Sequence, residues 1–446
     1  MCGIFGISDN EESAKLSYVA LFTLQHRGQE SAGIASVKNG KLSYYNSMGL
    51  VNEIFNPSVL ASLSGKSAIG HVRYSTAGSS SVNNSQPLYF NCKYGEIAVA
   101  HNGNIVNAAH IKENLAKNGA IFQSDTDSEA IIHLISRSGK KNFFEAALEQ
   151  LPKLKGAYSF LFLNKDALMA ARDPYGFRPL VLAKKDSSFI FTSETCAAEV
   201  IGAEIIREIE PGEAAIVKNG KISFFRFSPI KKYSRCIFEQ VYFARPDSVV
   251  CGHTVQSARY LIGKYLFEEM KGVKADIVSG VPDSGSAYAL GFSAASKIPY
   301  VPVFMRNHYA GRSFIQPDQK MREFTAHLKL APIKDAIKGK EIVLIDDSLV
   351  RGTTSLKIIK SLKNAGAKKI IMAVASPPII SPCFYGIDTP TKEELIAVRL
   401  KEKDKIRKFI GADELHYLSL DNLIKACGLG DKNFCKACFD GKYPVK

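Results

Sequence analysis

The sequence lacks tryptophan, and it has no apolar segment near the roughly 18 residues that a membrane-spanning helix needs. It also lacks the pattern of a signal peptide, because MCGIFGISDNEES has no basic stretch before a long apolar run and turns acidic at once. We therefore expect a soluble, cytoplasmic protein without a membrane partner.

Acidic residues are fewer than basic ones, since 43 Asp and Glu face 58 Lys and Arg, for a net charge of +15. The basic residues are scattered, and a basic arm or an aromatic-interleaved stripe typical of nucleic-acid binding is missing. We predict no nucleic-acid partner and a surface that attracts phosphorylated substrates. Nine cysteines, an odd number, argue against a disulfide framework in a cytoplasmic chain and leave some thiols with chemical roles.

A length of 446 residues predicts two or three domains. Up to about residue 230 the pattern is one of short strands and turns, and Asn-Gly occurs twice between alternating residues, in VKNGKLSYY and VKNGKISFF, which predicts two hairpins. Beyond that point, apolar segments such as DIVSGV, YVPVFM, EIVLID and KIIMAVAS alternate with helical patterns, which predicts a parallel sheet. We therefore divide the chain into domains at 2–230 and 231–446, and expect the lysine-rich segment from 392 onward to be helical before a cysteine-bearing tail.

Cys2 follows the initiator methionine, and a small second residue permits removal of that methionine. Cys2 would then carry a thiol and an α-amino group whose pKa is about 7.7–8.0, so the residue could supply its own general base. A cysteine at position 2 is more often incidental than catalytic, so a role as nucleophile needs support from other motifs in the sequence.

Four further motifs follow Cys2-Gly-Ile-Phe-Gly in the sequence: QHRGQESAG (25–33), GHVRYSTAG (70–78), HNGNIVN (101–107) and SDTDSE (124–129). In order and spacing this series resembles the class II glutamine amidotransferases. The resemblance implies an αββα N-terminal-nucleophile sandwich with Cys2 as nucleophile. It assigns Asn102 and Gly103 to the oxyanion hole, Arg73 to the glutamine carboxylate and Asp127 to the α-ammonium.

The second half contains EIVLIDDSLVRGTTSLKII (341–359), a strand that ends in two carboxylates and continues through a polar loop into a helix. Such a loop binds phosphate at the amino end of the helix, while the carboxylates suit a ribose diol or Mg²⁺. A phosphate loop of another nucleotide enzyme remains an alternative, although the lysine of an ATPase loop is absent.

This segment resembles the PRPP-binding motif of phosphoribosyltransferases. The resemblance implies a PRPP site with Mg²⁺ at Ser284, Asp346 and Asp347. Its further PRPP contacts would be Ser348, Arg351, Gly352, Thr353 and Thr354, together with Arg306 and Lys320 in a closing loop at 306–322.

Cys435-Lys-Ala-Cys438, with isolated Cys236 and Cys383, could provide four thiolates for zinc or an iron–sulfur cluster, or could be free thiols. The surrounding sequences resemble the glutamine phosphoribosylpyrophosphate amidotransferases, one branch of which carries a 4Fe–4S cluster at such positions. This resemblance favours the cluster.

The combined resemblance implies synthesis of phosphoribosylamine from glutamine and PRPP, the first step of purine synthesis, in a homo-oligomer (dimer or tetramer) inhibited by purine nucleotides. The alternatives are another class II glutamine amidotransferase and a non-catalytic PRPP-sensing regulator.

Overall fold

The computed structural model describes residues 1–75, 78–307, 330–389, 391–428 and 430–445. Its first part contains two antiparallel sheets. The seven-stranded sheet has the order Glu204–Glu208, Val181–Lys185, Ser188–Thr192, Gly3–Ile7, Ser67–Arg73, Ser31–Lys38, Lys41–Met48. The six-stranded sheet has the order Lys221–Arg226, Glu213–Lys218, Leu168–Arg172, Gly156–Asn164, Gly95–Ile105, Leu88–Cys92.

The two sheets pack face to face, and helices cover their outer faces. Ile4, Ala98 and Leu161 belong to the apolar layer between the sheets. Helix Ser13–Thr23 packs on the first sheet through residues such as Leu21. Ala108–Lys117, Glu129–Ser136 and Phe143–Gln150 cover the second. This αββα sandwich confirms the predicted fold of the first half.

Both predicted hairpins are present, and their turns have the backbone that Asn-Gly favours. Asn39 and Gly40 have φ values of 51° and 76°, and Asn219 and Gly220 have 51° and 70°. Positive φ at both central residues is the requirement of a type I′ turn, which explains the recurrence of the same dipeptide.

The second half contains a four-stranded parallel sheet in the order Ile277–Gly280, Glu341–Asp346, Lys369–Val374, Glu414–Tyr417. Helices Val255–Glu269 and Ser284–Ser296 cover one face, and Thr353–Asn364 and Lys403–Ile410 cover the other. The first two helices approach closely, because a Cβ on Gly263 would lie 1.9 Å from the carbonyl oxygen of Tyr288. The predicted α/β fold of the second half is therefore confirmed.

Two details of the second half differ from the prediction. Of YVPVFM only the last two residues belong to a strand, Phe304–Arg306, which pairs with Leu330–Pro332 outside the parallel sheet. Tyr300 forms an isolated bridge with Val278, and the ladder goes no further because the N–H of Val303 donates to the hydroxyl of Ser279 at 3.1 Å. The fourth parallel strand, Glu414–Tyr417, lies in the segment predicted to be helical, because four residues are too few to show a strand period.

Shorter elements complete the chain: helices Val51–Ile54, Pro57–Ser62, Thr195–Glu199, Lys334–Ile337, Ile396–Leu400, Leu420–Ala426 and Ala437–Asp440, a π-helix at Glu239–Phe243, 3-10 turns at Gln25–Arg27, Val82–Asn84, Leu151–Lys153, Lys392–Glu394 and Asp431–Asn433, and the strand pairs Arg235–Cys236 with Phe434–Cys435 and Val249–Val250 with His253–Thr254. Across the described ranges, no helix combines the length and the apolar character needed to cross a membrane.

A buried ionic network joins the sandwich to the second half of the chain. Arg27 donates to both carboxylate oxygens of Glu239, at 3.0 and 2.9 Å, and also to Glu194. Arg178 lies 3.4 Å from Glu239 and donates to the carbonyl of Tyr385. These four charged side chains are almost fully buried, so the junction is fixed by paired charges as well as by apolar contacts.

Candidate active sites

Cys2 lies at the start of the central strand of the first sheet, Gly3–Ile7, and is buried. Its Sγ is 3.6 Å from the carbonyl oxygen of Tyr74, and its own carbonyl accepts a hydrogen bond of 2.9 Å from Arg27 Nε. The strand register pairs Gly3 with Val72, which brings Cys2 to the end of the strand that carries Arg73.

Met1 is 1% exposed and packs with apolar residues of the second half, including Ile237 and Val241. Burial lowers the pKa of its amine from the ordinary value of 8.0 to about 5. While Met1 is attached, the nitrogen of Cys2 belongs to a peptide bond. The base that the sequence predicts therefore exists only after Met1 has been removed.

Asn102 and Gly103 lie on strand Gly95–Ile105 of the second sheet, beside the strand of Cys2. Asn102 Nδ2 is 3.5 Å from Ser193 Oγ, and that hydroxyl accepts a hydrogen bond of 3.0 Å from the N–H of Ile4. Ser193 thus links the side chain of Asn102 to the strand that begins at Cys2. It lies 91 residues from Asn102, and no sequence pattern identified it.

Arg73 is buried and lies 3.6 Å from Glu30. Glu30 also accepts hydrogen bonds from the N–H and hydroxyl of Ser75, at 3.1 and 2.8 Å. Glu30 thereby fixes the chain immediately after Arg73. Thr76 and Ala77 of the same motif lie outside the described residues.

Asp127 is anchored next to the strand of Asn102 and Gly103, because its Oδ2 accepts a hydrogen bond of 2.7 Å from the N–H of Ile105. Glu129, which is buried, folds the preceding loop by accepting from the N–H groups of Gln123 and Ser124 at 2.9 and 2.8 Å. The structure therefore brings Cys2, Arg73, Asn102, Gly103 and Asp127 to one region. The sequence motif contained Glu129 without indicating its role.

Three histidines near these residues, His26, His71 and His101, each make a hydrogen bond through a ring nitrogen. His26 Nε2 is 2.8 Å from Glu194, and His71 Nε2 is 3.0 Å from the carbonyl of His101. Burial lowers the pKa of His71 to about 3, so this imidazole is neutral at physiological pH.

Asp346 is the last residue of the second strand of the parallel sheet and Asp347 follows it, and both are buried. Ser284 Oγ and Ser348 Oγ donate to the two oxygens of Asp347 at 2.7 and 2.6 Å. Burial and the adjacent charge of Asp347 raise the pKa of Asp346 well above its ordinary value, and burial also raises the pKa of Asp347. The structure thus brings Ser284 next to Asp347, although the two residues are 63 positions apart in sequence.

The loop after Asp347 leads into helix Thr353–Asn364, with Gly352 at the N-cap position. Gly352 has φ +78°, and a Cβ there would lie 2.4 Å from Ile396 Cδ1, so a larger residue would displace the loop. The amides of Thr353 and Thr354 stand at the positive end of this helix, where an anion is stabilised.

Two predicted arginines of the PRPP site are engaged in surface ion pairs. Arg351 Nε lies 3.3 Å from Glu394, and Arg306 pairs with Asp283, beside Ser284. Lys320 and most of the predicted closing loop lie outside the described residues.

The four cysteines of the predicted cluster converge. The pair Arg235–Cys236 and Phe434–Cys435 sets Cys236 opposite Cys435, and the carbonyl of Cys438 accepts from the chain just before Cys383, at Ile380 and Ser381. Burial first, and then the charges of the other three thiols, raise the pKa of Cys438 well above its ordinary value. Burial also raises the pKa of Cys236 to about 11.

Within the described ranges, no group of three or more His, Cys, Asp or Glu side chains is spaced to hold a single metal ion. A 4Fe–4S cluster has a different requirement, because each thiolate binds its own iron and the four sulfur atoms stand farther apart. Cys435 is buried and Cys236, Cys383 and Cys438 are partly buried, and together they offer the four thiols that such a cluster uses. The remaining cysteines do not join them: Cys196, Cys251 and Cys427 are buried, and Cys92 is half-buried.

A family profile described as a glutamine amidotransferase domain matches residues 71–199. The chain is 47% identical over 447 residues to amidophosphoribosyltransferase 1, chloroplastic, of Arabidopsis thaliana, covering 100% of this chain and 79% of the relative. It is 45% identical over 450 residues to amidophosphoribosyltransferase of Bacillus subtilis, covering 100% of this chain and 94% of the relative.

Solved structures show the same likeness. The B. subtilis glutamine PRPP amidotransferase in complex with ADP and GMP has a TM-score of 0.94 and 44% identity, covering 100% of this chain and 98% of that one. A structure described as the allosteric regulatory enzyme of purine biosynthesis has a TM-score of 0.95 and 45% identity, covering 100% of this chain and 96% of that one. The similarity therefore extends through both halves.

Proposed function

The chain belongs to the amidophosphoribosyltransferase family, and we propose which of its residues carry out the family's reaction. That reaction converts glutamine, PRPP and water into phosphoribosylamine, glutamate and pyrophosphate. The observation that supports the proposal is that Cys2 lies in the sandwich, whereas Asp346 and Asp347 lie with Ser284 in the second half. The division at 2–230 and 231–446 assigns one site to each domain.

In the first site, Arg73 binds the carboxylate of glutamine and Asp127 binds its α-ammonium. The thiol of Cys2 transfers its proton to the free α-amine and attacks the side-chain amide. The oxygen of the tetrahedral intermediate is stabilised by Asn102 Nδ2 and the N–H of Gly103. The amine returns the proton to the leaving nitrogen, which departs as ammonia, and water then hydrolyses the thioester to glutamate.

In the second site, the loop from Ser348 to Thr354 binds the 5-phosphate of PRPP, while Asp346 and Asp347 face its ribose. Ser284, Asp346 and Asp347 offer the oxygen donors that suit Mg²⁺, which when bound would neutralise the pyrophosphate of PRPP. Arg306 and Lys320 are proposed to contact the same pyrophosphate. Ammonia attacks C1 of the ribose, and pyrophosphate leaves.

We further propose that Cys236, Cys383, Cys435 and Cys438 hold a 4Fe–4S cluster, which would cross-link the C-terminal tail to the second domain. Anaerobically purified protein is expected to contain about four irons and four sulfides per chain. Cys435→Ser should lose them, whereas Cys427→Ser, another buried cysteine, should not. A colourless wild-type protein without sulfide would contradict the cluster.

Purine nucleotides are proposed as inhibitors, because the similar B. subtilis structure is described as a complex with ADP and GMP. A homo-oligomer, dimer or tetramer, and a cytoplasmic location complete the proposal, although similar plant enzymes are named as chloroplastic.

The two-site assignment is tested by two variants with opposite behaviour. Cys2→Ala keeps a small second residue, so Met1 can still be removed and only the thiol is lost. It should abolish glutamine-dependent synthesis and retain synthesis from added ammonia at raised pH. Asp346→Ala should abolish both, because ammonia from any source needs PRPP.

Cys92→Ala, a half-buried cysteine outside the site, is the control and should keep both activities. Equal loss of both activities in Cys2→Ala would contradict the separation of the sites, and retention of ammonia-dependent activity in Asp346→Ala would contradict the PRPP assignment.

A further inference from the structure

We propose that residues 384–386 of the second domain, called the buttress segment below, position the oxyanion loop of the glutaminase, Asn102–Asn104. The inference rests on the proposed roles of Asn102 and Gly103. It assigns the precision of glutamine hydrolysis partly to a segment outside the glutaminase domain.

The closest contact of the buttress segment is between two glycines. Gly386 has φ +100°, and a Cβ on it would lie 3.0 Å from both the carbonyl carbon and the oxygen of Gly103. A side chain at residue 386 would therefore press directly on the backbone of the oxyanion loop. Only glycine permits both this backbone conformation and this approach.

A second contact is a hydrogen bond of 2.9 Å from Asn104 Nδ2 to the carbonyl oxygen of Phe384. The two residues are 280 positions apart in sequence, and Asn104 directly follows Gly103. The oxyanion loop is therefore attached to the buttress segment at two consecutive residues.

The opposite side of Gly103 is occupied by the neighbouring strand of the sandwich. Gly103 pairs with Tyr158 in the sheet, and a Cβ on Gly103 would lie 2.1 Å from the carbonyl oxygen of Ala157. The backbone of Gly103 is thus enclosed between the strand Gly156–Asn164 and Gly386. A displacement of Gly386 toward Gly103 has no free space to absorb it.

Hydrogen bonds and a ring contact fix the buttress segment, so that it can in turn fix the backbone of Gly103. The carbonyl of Tyr385 accepts hydrogen bonds of 2.9 and 2.5 Å from Arg178, a fully buried residue of the sandwich. The ring of Tyr385 stacks on Phe177, with centroids 4.2 Å apart, and its hydroxyl donates to the carbonyl of Val445. The N–H of Tyr385 is 3.3 Å from Cys383 Sγ, which ties the segment to the cysteine cluster.

These contacts matter for the reaction because an oxyanion donor works only when it points at the developing charge. Loss of one such donor costs about 10²–10³-fold in kcat, and a shift of about 1 Å can cost about 10²-fold. A shift of a few tenths of an ångström at Gly103 should therefore reduce kcat for glutamine hydrolysis several-fold. The KM for glutamine should change less than kcat, since Arg73 and Asp127 are proposed to bind the α-carboxylate and α-ammonium rather than the reacting amide.

The test uses the full-length enzyme with Gly386→Ala and, separately, Asn104→Ala. Three quantities are measured: kcat and KM for glutamine hydrolysis, ammonia-dependent synthesis, and inhibition by glutamate γ-semialdehyde compared with inhibition by glutamate. The thiol of Cys2 adds to the carbonyl carbon of the aldehyde and forms a tetrahedral hemithioacetal, so inhibition by the aldehyde depends on the oxyanion hole. Inhibition by glutamate depends on the contacts to the α-carboxylate and α-ammonium.

Gly441→Ala is the matched control. Gly441 also has a positive φ, of 69°, and lies near the same cysteines, but a Cβ there would meet only the hydroxyl of Ser381, at 3.4 Å. It therefore imposes similar backbone strain without touching the oxyanion loop.

We expect both test variants to lower kcat for glutamine hydrolysis. Inhibition by the aldehyde should weaken at least 5-fold more than inhibition by glutamate, and ammonia-dependent synthesis should stay within 2-fold of the wild type. Gly441→Ala should show neither change. Unchanged kcat and aldehyde binding in soluble Gly386→Ala would overturn the inference. If that variant does not fold, Asn104→Ala decides by the same criteria.

Asn102→Ala separates this inference from the proposed function. If Asn102→Ala hydrolyses glutamine normally, the oxyanion assignment itself fails. If it loses hydrolysis while Gly386→Ala and Asn104→Ala behave as wild type, only the buttress segment is refuted.

Discussion

Replacement of Glu239 by alanine should destabilise the protein far more than the loss of a surface ion pair. Glu239 contacts both Arg27 and Arg178, whereas Glu194 pairs with Arg27. Without Glu239, Arg27 keeps Glu194, whereas Arg178 keeps its hydrogen bonds to the carbonyl of Tyr385 and to the sulfur of Met1.

The magnitude follows from burial. Removal of one partner of a buried ion pair typically costs about 3–5 kcal/mol, because an uncompensated charge remains away from water. One of the two arginines retains a carboxylate, so we expect the lower end, about 3 kcal/mol. For a domain of about 200 residues this corresponds to a fall in Tm of about 6–12 °C.

The measurement is thermal unfolding of the full chain at one fixed scan rate, with two comparison variants. Glu239→Gln keeps the volume and one acceptor for Arg27, so its Tm should lie between those of the wild type and Glu239→Ala. Asp247→Ala breaks the pair with Arg245, whose side chains are 40% and 54% exposed, and should cost less than about 1 kcal/mol.

A Tm for Glu239→Ala equal to that of Asp247→Ala would refute the argument that the junction depends on paired buried charges. Because Arg27 also donates to the carbonyl of Cys2, a second expected effect is a lower rate of glutamine hydrolysis relative to ammonia-dependent synthesis.

Three further predictions concern single groups. Ser193→Ala should lower kcat for glutamine hydrolysis several-fold by freeing the amide of Asn102, and Ser193→Thr should restore part of it; equal rates in both variants would contradict this role. Burial would raise the pKa of Glu129, but hydrogen bonds from His133 and from the loop at Gln123 and Ser124 outweigh it and lower this pKa to about 2. The ionised carboxylate should therefore stabilise the fold above about pH 4.5, and this stabilisation should be lost as the pH falls toward 2. Glu129→Gln should flatten the pH dependence of stability and raise the KM for glutamine, and a pH profile like that of the wild type would count against this role. A chain prepared with Met1 retained should resist methionine aminopeptidase when folded and be cleaved when unfolded, as followed by mass spectrometry; rapid cleavage of the folded chain would show that Met1 is not buried.

The sequence by itself determined the features that depend on short stretches of chain. The Asn-Gly dipeptides specify type I′ turns because two consecutive positive φ values favour these residues. The strand–Asp-Asp–loop–helix segment places carboxylates and helix amides close together because the strand ends at Asp346 and the helix begins at Thr353. The short motifs likewise named the candidate residues of both sites before any fold was known.

Tertiary structure alone decided how distant segments support those residues. Arg27 and Glu239 are 212 positions apart, and Asn104 and Phe384 are 280 apart, so no local period or turn preference could pair them. Gly386 shows the same limit, because its contact with Gly103 exists only where the two halves of the chain pack together. Local chemistry selects the reacting groups, whereas their exact positions depend on packing between residues that the chain order keeps far apart.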